Sequence, residues 1–79
     1  MPRYYFDVMS GNSVLEDMEG SELVDLNHAV AEALEDARAL MSEAVRQGHD
    51  ISDGSIVIRN GDRTLLKVIR FTDALDRKS

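Results

Sequence analysis

The longest regular pattern in the chain runs from Leu26 to Gln47, where apolar residues fall at 26, 29, 30, 33, 34, 37, 40, 41, 44 and 45. That 3.6-residue rhythm, held for about six turns, predicts one amphipathic helix over 26–47. At 100° per residue the stripe covers roughly 160° of the helical wheel, wider than a coiled-coil seam. Its middle is small, with Ala29, Ala33, Ala37 and Ala44, and its bulk sits mainly on one flank at Val30, Leu34, Met41 and Val45. Alanines let a backbone lie close to a flat surface, so the stripe predicts packing on a sheet. Asp25 suits the N-cap, with Asn27 as the competing cap, and Gly48 suits the position after the C-cap. Glu32, Glu35 and Asp36 near the start and Arg46 near the end match the helix dipole weakly.

A different period flanks this segment. From Arg3 to Met9 the residues alternate, with Tyr4, Phe6 and Val8 on one face and Arg3, Tyr5, Asp7 and Met9 on the other. Ser10-Gly11-Asn12 is turn chemistry, and Ser13 to Asp17 can return as a second strand. Met18 to Asp25 is an acidic connector in which Gly20 can take a left-handed backbone and Leu23 and Val24 can tuck under the helix start. After a loop over 49–54, Ser55 to Arg59 has strand composition. Asn60-Gly61 signals a type I′ hairpin turn, and Thr64 to Phe71 returns as the longest apolar strand. The residues 72–79 have the composition of a frayed polar tail anchored by Ala74 and Leu75.

The expected fold is therefore α+β: a single two-layer ββαββ domain, with a four-stranded, mostly antiparallel sheet and one long helix across one face. Its parts are a first hairpin over 1–18, a connector over 19–25, the helix over 26–47, a second hairpin over 55–71 and a tail over 72–79. Joining the first strand to the third gives the order 2-1-3-4; joining it to the fourth gives 2-1-4-3 with a parallel pair. The first is preferred, because antiparallel pairs outnumber parallel ones.

The two faces of that sheet carry the functional expectation. With Tyr4, Phe6, Val8, Ile56, Ile58, Leu66 and Val68 turned toward the helix, Tyr5, Met9, Val57, Leu65, Ile69 and Phe71 turn away. A chain with one helix cannot cover both faces, and a large exposed apolar patch marks an interface. Tyr5, Met9, Val57, Leu65, Ile69 and Phe71 are thus the candidate interface, for a second copy or another protein. A register shift or bulge in the last strand would instead turn Ile69 and Phe71 inward.

Size strengthens the case for association. A 79-residue chain buries only about 60% of its unfolded surface. With no cysteine to supply disulfides or thiolate ligands, a homodimer is the remaining common remedy for a small core. No apolar run behind a basic start suggests a signal peptide, and no stretch approaches the ~20 apolar residues of a membrane span. A soluble, cytoplasmic protein with no membrane partner is the expectation.

The net charge of −6 is unevenly spread. Residues 1–50 carry eleven acids against Arg3, Arg38 and Arg46, a balance of −8; residues 51–79 carry six bases against four acids, a balance of +2. Arg59, Arg63, Lys67 and Arg70 make a candidate basic patch on the second hairpin. Near Tyr4 and Tyr5 it is the feature that would serve a sheet-based nucleic-acid binder or regulatory protein. The set is small and the chain acidic, so nucleic acid is the second reading and a solvated hairpin the plainer one.

Candidate chemistry is sparse. His28 lies on the polar side of the first helical turn and His49 just past the end, about 30 Å away by helix rise, so they cannot share a metal within one copy. Glu16, Asp17, Glu19, Glu22 and Asp25 form an acidic run, yet it lacks the spaced ligand ladder of a calcium loop. There is no nucleophile elbow, no Ser–His–Asp set and no Gly-rich phosphate loop. No catalytic residue, metal site or cofactor is therefore assigned, and the chain is expected to be non-enzymatic.

Met1-Pro2-Arg3-Tyr4-Tyr5-Phe6-Asp7, Glu16-Asp17 with Glu19-Gly20 and Glu22-Leu23, and Asp25-Leu26 with Ala29, Glu32 and Ala33 together resemble a family of short bacterial proteins. That family is known only as a domain of unknown function. The likeness spans residues 1 to about 45 and fades to a hydrophobic pattern in the second hairpin. It implies a small cytoplasmic bacterial protein, common in soil and plant-associated lineages, and it brings no activity, cofactor or catalytic residue.

Overall fold

The structure, a computed structural model, describes residues 1–75. Five strands and two helices follow one another as β1 (Arg3–Ser10), β2 (Ser13–Leu15), β3 (Ser21–Glu22), α1 (Leu26–Arg46), β4 (Ser55–Arg59), β5 (Leu65–Arg70) and α2 (Phe71–Leu75). The sheet order is β2-β1-β4-β5, antiparallel throughout, with β3 also paired to β1. This is the expected α+β arrangement in the preferred strand order.

β2 and β3 are two pieces of one return path along the same edge of β1. Between the pairs Val8↔Leu15 and Tyr4↔Ser21, β1 advances four residues (8 to 4) while the returning chain advances six (15 to 21). The two extra residues force the chain out of register over 16–20. The connector expected to be irregular thus contains a strand.

α1 matches its forecast closely. Asp25 is the N-cap, its carboxylate accepting the His28 N–H at 3.0 Å. Gly48 follows the helix in the left-handed region at φ 81°. Ala29, Ala33 and Ala37 are fully buried against the sheet, and the Ala44 and Met41 side chains continue the seam. The stripe is narrower than its sequence, since Val45 remains exposed. α1 lies over β4 and β5 and packs along one flank against α2.

The second hairpin departs from expectation in its turn and its parity. Asn60 N–H donates to the Thr64 carbonyl and Arg63 N–H to the Asn60 carbonyl, so three residues, 61–63, form the loop. Asn60 uses its side chain to accept the Asp62 and Thr64 N–H groups, and Arg63 takes the left-handed conformation at φ 67°. This is a three-residue loop closing on a left-handed residue, not the two-residue type I′ turn. A register shift between Ile58 and Arg59 then leaves Leu66 unpaired. Past it, Ile69 pairs with Ile56 on the helix side and Val68 with Val57 on the outer side. Ile69 and Phe71 are therefore buried in the core with Tyr4, Phe6, Ile56 and Ile58, while Leu66 and Val68 are exposed. From Leu66 onward the expected inward and outward residues are exchanged, while Leu65, paired with Arg59, keeps its expected outward place.

The chain does not fray after β5. Residues 71–75 turn at once into α2, with Ala74 buried as the expected anchor; the rest of the expected tail lies outside the described residues. Phe71 is wholly buried, and its N–H donates to the Gly54 carbonyl at 3.0 Å. Gly54 is required by close approach: a Cβ there would lie 2.5 Å from the Met9 carbonyl oxygen and 3.0 Å from the Phe71 ring.

Candidate functional site

The outer sheet face, away from α1, is built on Tyr5, Asp7 and Met9 of β1, Val57 and Arg59 of β4, and Val68 of β5. At its centre Asp7 is only 2% exposed, an unusual place for a carboxylate on a face that no described helix covers. Three donors satisfy it. Arg59 Nε donates at 3.0 Å and Arg63 Nη2 at 2.7 Å to Oδ2, and the Asp17 N–H donates at 3.0 Å to Oδ1. Arg59 also donates to the Arg63 carbonyl, and the Arg63 guanidinium lies over the Tyr5 ring, 5.1 Å from its centre.

The left-handed Arg63 now has a physical reason. A non-glycine residue costs about 1–2 kcal/mol in that conformation, and glycine would be the cheap choice. Arginine there sends a guanidinium back across the sheet to Asp7 and Tyr5, which offsets the strain.

Asp17 makes a second junction beside the first. Its Oδ2 accepts the Phe6 N–H at 3.1 Å, capping the stretch of β1 edge left bare between β2 and β3. Its Oδ1 accepts the Glu19 and Gly20 N–H groups at 3.1 and 3.0 Å. Burial is the largest single influence on Asp17 and raises its pKa. The N–H groups of Gly20, Phe6 and Glu19 and the Arg63 charge together outweigh it, holding the carboxyl below its ordinary 3.8. A folded pKa below the unfolded one contributes stability above the unfolded value, and that contribution is lost as pH falls through the folded value. Denaturation midpoints measured from pH 7 down to pH 2 are expected to drop on the acid side of about pH 4. Asp17→Asn should make that acid limb shallower; an identical limb in the variant would refute the role.

These contacts decide the sequence-derived sites. Tyr5 and Met9 do lie on the outer face, half-buried, and Leu65 is exposed beside them. Val57 is on that face but only 3% exposed, so it offers little contact surface. Ile69 and Phe71 are corrected outright: both are core residues under the helix layer. Val14, paired with Met9, and Leu66 and Val68 of β5 take their place, at 59%, 37% and 43% exposure. The basic set does not converge either. Arg59 and Arg63 are bound to Asp7, Lys67 pairs with Ile58 on the helix side, and Arg70 pairs with Ser55 at the far end of the hairpin.

Four of the five acids in the run from Glu16 to Asp25 are similarly committed, Glu16 Oε2 lying 3.7 Å from Arg63 Nη2. Asp17 caps backbone, Glu22 pairs with Arg3 at 2.9 Å, and Asp25 caps α1 while its Oδ1 lies 2.7 Å from His28 Nδ1. Among the described residues no group of three or more His, Asp or Glu side chains is placed to hold a metal ion. No described helix is long and apolar enough to cross a membrane.

A family model described as "Domain of unknown function (DUF6894)" matches residues 3–72. The chain belongs to the DUF6894 family. No curated protein and no solved structure matches it. In this DUF6894 chain, the residues that carried the likeness have structural roles. Arg3 holds the Glu19 carbonyl and Glu22, and Asp7 and Asp17 form the paired junctions. Gly20 adopts φ 74° where a Cβ would press on Arg3, the Tyr4 carbonyl and Tyr5. What composition missed was Asp7. Its signal was legible: aspartate is depleted from strands, so one in the middle of an aromatic strand requires partners.

Proposed function

We propose that this DUF6894 protein is a non-enzymatic interaction module that self-associates through the open edge of β5 and the outer-face residues beside it. The observation that carries this reading is the exposure of Leu65, Leu66 and Val68 on a strand that, among the described residues, is paired only on its β4 side. An edge strand presents a row of backbone donors and acceptors, which a second copy of the same strand can satisfy. Exposed β5 side chains on the outer face give that pairing an apolar contribution. Lys67 projects on the opposite, helix side, so its charge does not interrupt the apolar surface.

The charge distribution supports a protein partner over nucleic acid. Arg59 and Arg63 are the central cations of the hairpin, and Asp7 already neutralises them in part. Phosphate binding would need them clustered and free to release counterions.

Light scattering at micromolar concentration tests the proposal. The wild-type chain is expected at twice its 8.8 kDa mass, and Val68→Glu at the single mass. Val68 is exposed, so the charge does not enter the core. A monomeric wild type, or a Val68→Glu variant that remains dimeric, would remove the proposal.

A further inference from the structure

α1 covers only part of the inner sheet face. With Ala37 at the centre of its buried seam, Arg38 lies about 100° to one side and Asp36 about 100° to the other. On the Arg38 side α2 covers part of the flank, with Arg38 Nε donating to the Ala74 carbonyl, and a hollow of about 400 Å3 lined by Met41, Val45 and Ile51 lies beside it toward the end of α1. On the Asp36 side no described element fills the flank. One hollow of about 300 Å3 lies between α1 and the inner face of β1 and β4, a second of about 420 Å3 lies along residues 15–19 at the β1–β2 edge, and both reach Phe6.

The floor of this groove is apolar and its walls are acidic. Val8, Leu40 and Ile56 line the first hollow with Asp36; Leu15 and Met18 line the second with Glu16, Asp17 and Glu19. Leu15 is 69% exposed and Met18 80%, so apolar surface is left in water on the strand wall. Among the described residues no lysine or arginine lines either hollow. The Asp36 side chain makes no hydrogen bond or ion pair among the described residues. Burial, followed by the charges of Glu32, Glu35 and Asp17, raises its pKa above the ordinary 3.8. Like charges held together beside an apolar slot favour a ligand that brings both positive charge and grease.

We infer that the groove between α1 and the β1–β2 edge is a docking site for a basic, amphipathic segment of another protein. Leucine-like side chains fill the hollows at Phe6, and lysine or arginine side chains meet Asp36 on one wall and Glu19 on the other, Glu16 being already within 3.7 Å of Arg63. The site is on the opposite side of the sheet from the self-association surface and does not depend on it.

The test uses the full chain and a fluorescein-labelled amphipathic peptide of alternating leucine and lysine pattern, titrated by anisotropy at about 0.15 M salt. Its leucine–glutamate counterpart serves as the comparison. The leucine–lysine peptide is expected to bind at micromolar concentration and the acidic peptide not to bind. Leu15→Ser with Leu40→Ser changes no charge and is expected to weaken binding at least tenfold. Asp36→Asn should weaken it several-fold, and Val68→Ser, on the other face, should leave it unchanged. Leu15 and Leu40 are exposed, and an unchanged melting temperature ties any loss to the surface rather than to unfolding. Undiminished binding by the double serine variant would mean charge attraction alone and overturn the inference. So would loss on Val68→Ser, or no binding of the basic peptide.

Discussion

Asp7→Ala is expected to lower the unfolding free energy by about 3 kcal/mol, the lower end of what breaking a buried ion pair costs. The lower end applies because the Arg59 and Arg63 side chains are 25% and 39% exposed, so water can partly solvate them once the carboxylate is gone. The loss has three parts: two guanidinium groups lose their partner, the Asp17 N–H loses its acceptor, and a void opens on the outer face. Asp7→Asn keeps an acceptor of similar shape and should lose less. Denaturant midpoints at constant slope measure the effect. A double-mutant cycle adds a sharper test: Arg63→Ala should cost much less in the Asp7→Ala background than in the wild type. Arg63→Gly should cost less than Arg63→Ala, because glycine relieves the left-handed backbone at φ 67°. An Asp7→Ala protein within about 0.5 kcal/mol of wild type, the usual range for surface changes, would mean that the junction is incidental.

Periodicity was a sound guide wherever a pattern was long. The six-turn rhythm of α1 marks its span and its alanine seam, because each misplaced residue would break a repeated pattern, whereas the cap stays open between Asp25 and Asn27 until the Asp25 carboxylate is seen to accept the His28 N–H. Strand order followed from two local hairpins and the preference for antiparallel pairing. Short features carried too little pattern: β3 has two residues, and α2 has five. The faces of β5 failed for a specific reason. One unpaired residue, Leu66, inverts every side chain beyond it, since strand parity has a period of two. Asn60-Gly61 invited a two-residue turn, but the Asn60 carboxamide is used to hold Asp62 and Thr64 N–H groups, which lengthens the loop. The basic patch failed because sequence shows the cations and not their partner, and Asp7 lies 52 and 56 residues from the two arginines it binds.

The inverted parity of β5 makes its own prediction, and it is the largest. Phe71→Ala is expected to destabilise the fold by about 3–5 kcal/mol, the usual cost of deleting a buried phenylalanine. Against a total of about 5–15 kcal/mol for a domain, that loss leaves a substantial unfolded population. Phe71 is wholly buried beside Ile56, Ile69 and Ala74, where β5 turns into α2, so neighbouring backbone cannot easily collapse into the void. Val68→Ala, three residues earlier and 43% exposed, should fall within about 1 kcal/mol of wild type. The pair is a direct measurement of which face each residue occupies: an outward Phe71 and an inward Val68 would reverse the order. Gly54→Ala approaches the same junction from the other side. Its methyl group would meet the Met9 carbonyl at 2.5 Å and the Phe71 ring at 3.0 Å, and the carbonyl belongs to a paired strand that cannot shift freely. Overpacking of this kind costs about 1–3 kcal/mol or more. Combining Gly54→Ala with Phe71→Leu, which frees part of the ring space but not the carbonyl, should recover only a fraction of it. Thermal and denaturant unfolding followed by circular dichroism would read all four variants, and full recovery in the combined variant would assign the clash to the ring rather than to the backbone.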